Sequence, residues 1–207
     1  KLYKLDKRVF NHQYKIYIDK ICDIMEKVGI NINTVPVLDV RRKYSHNVIG
    51  NRSFSTDPQI VSKIGNLCIN LYKNYKIATV IKHIPGHGLS KSDSHHNLSI
   101  IKTKKTELIK KDFKPFKMCQ SLFAMTAHVV YNVYDPIYTA THSKIIINEV
   151  IRKHIGFKGL LMSDDISMKA LKYELKDNAI KALDAGCNLI LHCNGNIKEM
   201  AKLVKIV

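Results

Sequence analysis

Two stretches of the sequence gather residues that can do chemistry. One is Lys82-His83-Ile84-Pro85-Gly86-His87-Gly88, followed after four residues by Asp93-Ser94-His95-His96. The other is Ser163-Asp164-Asp165, directly after the apolar run Leu160-Leu161-Met162. An imidazole titrates near neutral pH, so a histidine in such a loop can donate or accept a proton. A carboxylate beside an imidazole would orient the ring and favour its charged form. A carboxylate at a strand end, Asp164 or Asp165, can act as a nucleophile and form a covalent intermediate. Each feature has a plainer reading: a D-x-H in a polar loop as a solvated turn, and an Asp after a strand as the cap of the next helix.

The four histidines His83, His87, His95 and His96 with Asp93 also invite a metal site. Two ligands on one helical face would need His83 and His87 in a helix. Pro85, Gly86 and Gly88 oppose that helix, so no metal and no cofactor is expected.

These groups need elements to hold them. Tyr14 to Val28 carries apolar residues at helical spacing and Gly29 is a natural stop. Ile32 to Val40 is rich in β-branched residues and reads as a strand, weakened by Pro36. Asp57-Pro58 signals a helix start, and that helix runs to about Tyr72. The apolar run Ile77 to Ile81 reads as a buried strand that delivers the histidine loop. Thr106 opens a helix interrupted near Pro115, and Phe123 to Val130 reads as a strand ending near His128. Ser143 caps a helix that Gly156 ends, and Gly159 to Met162 is a strand running into Ser163-Asp164-Asp165. A further helix ends at Gly186, Asn188 to Leu191 is the next strand, and a last helix follows. Strands alternating with helices imply a parallel sheet with crossover helices, either open or closed into a barrel. No glycine-rich dinucleotide turn follows a strand, which disfavours a nucleotide-binding sheet.

The string K-H-I-P-G-H-G, four residues, then D-S-H resembles the signature of bacterial β-N-acetylglucosaminidases of glycoside hydrolase family 3. Ser163 to Met168 resembles the family's S-D-D-x-S-M, Gly50 to Phe54 its G-x-R-S-F/Y, and Ala127-His128-Val129 its A-H-V. The resemblance implies a TIM-type (β/α)8 barrel. Such a barrel has eight strands in about 250 residues. Only five alternations are legible here, so the expectation is an incomplete barrel, about the last five βα units, forming one partial catalytic domain over residues 1–207. The family's D-Q-E-G-G-R-V segment, which supplies a sugar-binding aspartate, has no counterpart in it.

The resemblance also implies roles. Asp164 is the nucleophile of a retaining glycosidase and Asp165 its structural partner. His95 is the general acid/base and Asp93 its partner, in place of the second carboxylate most retaining glycosidases use. Arg52, Lys82, His83 and His128 hold the sugar, and Asp39 gives structural support. The expected substrate is a small carbohydrate, terminal N-acetylglucosamine on peptidoglycan fragments.

Composition sets the remaining expectations. The 207 residues carry a formal charge of +17 and 45% hydrophobic residues. Such a charge suits a nucleic-acid partner. The lysines are scattered along helices and no nucleic-acid motif accompanies them, so a lysine-rich composition without such a partner is expected. Five cysteines without a CxxC suggest free thiols in a reducing compartment. No signal peptide and no membrane-spanning run is visible, so a soluble cytoplasmic protein is the expectation.

Overall fold

The computed structural model describes residues 2–42, 49–90 and 98–206, and the apolar runs of the sequence become a sheet whose strands all run one way. Ile32–Asn33 (β1), Ala78–Ile84 (β2), Phe123–Thr126 (β4), Leu160–Asp165 (β6) and Leu189–Leu191 (β7) pair in the order β1-β2-β4-β6-β7, every pair parallel. Ser99–Ile101 (β3) and Val129–Tyr131 (β5) form a second, two-stranded parallel sheet. Parallel pairing puts all C-terminal strand ends at one edge, where barrels keep their sites. Ile84, Thr126, Asp165 and Leu191 mark that edge. With helices between strands, this is the curled parallel sheet of an incomplete TIM-type barrel, as expected.

The local signals explain most elements. Asp57 caps Pro58–Asn74 by accepting from Gln59 N–H at 2.8 Å, with proline in the first turn where no donor is needed. Gly156 and Gly186 end their helices in left-handed conformations, φ 80° and 118°. Ser143 Oγ accepts from Ile146 N–H at 3.1 Å, ahead of the helical segment Ile146–Ile155, whose turns are the wide π type.

Four expectations needed correction. The first long helix begins at Lys7, about two turns before the apolar periodicity that starts at Tyr14, because Asp6 accepts from Arg8 and Val9 N–H. The strand expected over Ile32 to Val40 is only two residues long. Pro36 cannot donate to the ladder. Beyond it the chain touches β2 through Val37 and through the Leu38 N–H to Lys82 C=O bond at 2.7 Å. The strand expected over Phe123 to Val130 divides at Ala127-His128, and its second half leaves the main sheet to pair with β3. The helix from Lys105 has a widened turn over Leu108–Asp112, and Pro115 then sits in the first turn of Lys114–Met118.

The main core lies between sheet and helices and holds Leu38, Ile81, Ile84, Phe113, Phe116, Tyr131, Ile151, Phe157 and Leu161, all nearly sealed from solvent. A second cluster joins Ile18, Cys22 and Met25 of Lys7–Lys27 to Cys68, Leu71 and Tyr72 of Pro58–Asn74. None of the five cysteines is in a disulfide. Among the described residues no helix is long and apolar enough to cross a membrane.

Candidate active site

Asp164 stands near the end of β6, at the C-terminal edge of the sheet. Its side chain is mostly covered and keeps 19% exposure, enough for one face to meet a ligand. The Asp165 N–H donates to Oδ1 at 2.9 Å, and His83 Nε2 lies 4.0 Å from Oδ2. Burial pushes the Asp164 carboxyl up. His83, His128, the Asp165 N–H and Lys82 outweigh it and hold the carboxyl below the ordinary carboxylate range. The group is therefore an anion with an open face.

Its neighbours come from the end of β2. The pairing register of β2 with β4 shifts between Lys82 and Ile84. Lys82 Nζ donates to Thr34 Oγ1 at 3.2 Å. Burial lowers the ammonium from its usual value, Asp164 acts against that, and the Arg52 charge adds to the lowering. Arg52 is exposed, in the short 3₁₀ turn Gly50–Arg52. Thus Arg52, Lys82, His83 and Asp164, separated by up to 112 positions in sequence, share one electrostatic neighbourhood.

His83 is held from behind by Asp39, whose Oδ2 lies 2.7 Å from His83 Nδ1. Burial pushes the Asp39 carboxyl up, and His83 and His87 more than reverse it. His87 packs edge-on against His83, 5.6 Å between ring centres, and burial lowers its imidazole to about 4. The loop beyond is braced closely. Gly86 has φ 141°, and a Cβ there would lie 3.0 Å from Asp112 C=O. At Gly88 a Cβ would lie 2.0 Å from Val40 C=O, so only glycine lets the loop cross that backbone. Tyr131 donates its hydroxyl to Gly86 C=O, and Ser90 Oγ donates to Ser99 Oγ at 2.7 Å, joining the two strands of chain that flank residues 91–97. That stem leaves the same edge of the sheet that carries Asp164. Asp93 and His95 themselves lie outside the described residues.

His128 departs from expectation. It is fully buried, Nδ1 lies 2.7 Å from Thr141 Oγ1, and Nε2 lies 2.9 Å from Asp165 C=O. It has no exposed atom for a sugar and instead supports the β6 end from beneath, adding to the field that lowers Asp164. The Asp165 carboxylate accepts from Ser167 N–H, Ser167 Oγ and Cys193 N–H, tying the turn after β6 to the end of β7. The sequence alone gave no sign of Thr141, which links His128, Thr126 and Ala127 C=O, or of Thr34. Among the described residues no three His, Cys, Asp or Glu side chains gather as a metal site requires.

The profile of the glycosyl hydrolase family 3 N terminal domain matches residues 15–207. The chain belongs to glycoside hydrolase family 3. Family 3 relatives of known name are similar along most of this chain. A beta-hexosaminidase of Nitrosomonas eutropha is 34% identical over 175 residues, 82% of this chain and 50% of that protein. A beta-hexosaminidase of Shewanella frigidimarina is 36% identical over 182 residues, 85% of this chain and 52% of that protein. The chain spans about half the length of these curated relatives. Among solved structures, NagZ from Neisseria gonorrhoeae in complex with N-trifluoroacetyl-D-glucosamine matches all of this chain and 61% of its own, with TM-score 0.88 and 28% identity. A glycoside hydrolase family 3 beta-N-acetylglucosaminidase from Paenibacillus sp. matches over 90% of this chain and 36% of its own, with TM-score 0.85 and 29% identity.

Proposed function

We propose that this chain carries the catalytic groups of a retaining β-N-acetylglucosaminidase that releases terminal N-acetylglucosamine from peptidoglycan fragments in the cytoplasm. The observation that carries the reading is the Asp164 carboxylate, anionic and open on one face, beside Lys82, His83 and Arg52. The names and titles of the family 3 relatives support the sugar, and the absence of disulfides agrees with a reducing compartment.

In the first step an Asp164 oxygen bonds to the anomeric carbon as the glycosidic C–O bond breaks. His95, held by Asp93, delivers its proton to the departing oxygen. In the second step His95 takes a proton from water, the hydroxyl bonds to the anomeric carbon, and the Asp164 ester bond breaks. Two displacements on one carbon retain its configuration. Lys82, Arg52 and the His83 Nε2 face hold sugar hydroxyls and the acetamido oxygen. His128 acts one layer further back, through Asp165 and Asp164.

The test is turnover of a chromogenic N-acetyl-β-glucosaminide with product stereochemistry followed by NMR. The β-anomer of N-acetylglucosamine appearing first supports the reading, and first release of the α-anomer contradicts it. A second reading comes from the sheet, whose strands β1 and β7 have unpaired outer edges among the described residues. On this reading the chain by itself holds the site but does not turn over. Turnover by the purified 207-residue chain decides between the two.

A further inference from the structure

Asp39 is fully buried, and the mechanism above gives it no task. Burying a carboxylate is costly unless its oxygens are well occupied. Here both are occupied by groups that serve the site. Oδ2 faces His83 Nδ1 at 2.7 Å, the His83 N–H lies 3.3 Å from each oxygen, and Oδ1 accepts the His87 N–H at 2.6 Å. An ionised carboxylate can only accept. His83 Nδ1 must therefore carry its proton whether the ring is neutral or charged. Nε2 is then the atom left to face Asp164, 4.0 Å away, and whatever sugar hydroxyl lies there. The same carboxylate grips the backbone of His87, one residue before the Gly88 crossing and six before Asp93.

We propose that Asp39 is a positioning residue that fixes the His83 tautomer and, through the His87 backbone, anchors the root of the acid/base loop to the same point. This rests on the glycosidase reading, in which His83 holds the sugar. It assigns Asp39 more than packing, because an uncharged isostere would fill the same space yet lose the effect. An Asn at this position presents an amide NH2 to one of the two donors that now meet carboxylate oxygens. With the amide turned toward His83, Nδ1 becomes an acceptor and the proton moves to Nε2. In its neutral form the ring then offers a sugar hydroxyl a donor where the neutral native ring offers a lone pair.

The experiment is ¹⁵N NMR of the full chain labelled at histidine, with His83 assigned by loss of its signals in His83→Gln. In the native protein His83 Nδ1 is expected to be protonated from pH 5 to 9. In Asp39→Asn it is expected in the bare, pyridine-like form at pH 9, with kcat/KM on an aryl N-acetylglucosaminide reduced about 10–100-fold. A bare Nδ1 in the native protein overturns the proposal, and needs no variant to fold. So does a His83 spectrum unchanged by Asp39→Asn. An absence of native turnover would count against the glycosidase reading alone, since the tautomer is read without substrate.

Discussion

His83 joins two carboxylates of opposite duty: its Nδ1 lies 2.7 Å from Asp39, sealed in the core, and its Nε2 lies 4.0 Å from Asp164, open on one face. The ring thereby connects the loop after Pro36 to the tip of β6. The predictions follow from how charge is distributed around that line.

The first concerns pH. His83 and Lys82 both lower the Asp164 carboxyl, His83 more strongly. Removing either raises that carboxyl toward its ordinary value. In the proposed mechanism Asp164 attacks as the anion, so the acid limb of kcat/KM should move to higher pH. Measured pH profiles should show a larger upward shift for His83→Gln than for Lys82→Met. An acid limb that stays in place in both variants would show that Asp164 does not control it.

The second concerns the brace behind the histidine loop. Arg42 Nη2 meets Asp112 Oδ2 at 2.5 Å, and Asp112 is only 1% exposed. Burial raises the Asp112 carboxyl to about 6 even though Arg42 lowers it. Arg42→Ala leaves a buried carboxylate without its guanidinium, at a cost of about 3–5 kcal/mol near neutral pH. The sign with pH is fixed: a carboxyl whose folded pKa is raised favours the folded state when protonated, and loses that advantage as pH rises through the folded pKa. Urea titrations should therefore show a larger loss at pH 7.5 than at pH 5. An equal loss at both would mean that Asp112 is not the group left exposed to the penalty.

A third concerns Gly88. Its Cβ would fall 2.0 Å from Val40 C=O, so Gly88→Ala must displace one of the two backbones. Overpacking of this kind costs about 1–3 kcal/mol. The melting temperature should drop, and on the proposed mechanism turnover should fall further than stability alone explains, because the Gly86–Ser90 segment leads into the proposed acid/base residues. Unchanged melting and unchanged turnover would mean the loop can cross Val40 by another path.

How far the sequence foretold this arrangement depends on the range of the interaction. Signals confined to a few residues were readable: Asp57-Pro58 opens a helix, Gly156 and Gly186 close theirs, and Ser163-Asp164-Asp165 lies at a strand end. Pro36 warned of a weak strand: regular pairing ends at Asn33, and beyond the proline, which has no N–H to give, contact with β2 resumes only at the Val37 bridge. What periodicity could not show was partnership across the chain. Asp39 and His83 are 44 positions apart, and nothing in the local pattern of Val37-Leu38-Asp39-Val40 says that its carboxylate will accept from two histidines. The division of the strand at Ala127-His128 has the same origin, since Val129–Tyr131 leaves the main sheet to meet a strand 30 positions earlier. His128 was placed at the correct strand end, but its burial beneath Asp165 depends on Thr141, a partner that no motif marks.

The claim on which the account turns is that Asp164 forms the bond to sugar. Trapping tests it most directly: the active protein is incubated with a slowly turned-over fluorinated N-acetylglucosaminide, digested, and its peptides weighed. A sugar adduct on the peptide containing Asp164, absent in Asp164→Asn together with a loss of turnover on the order of 10⁴-fold or more, is the expected result. Turnover that persists in Asp164→Asn, or an adduct on a different carboxylate, would contradict it.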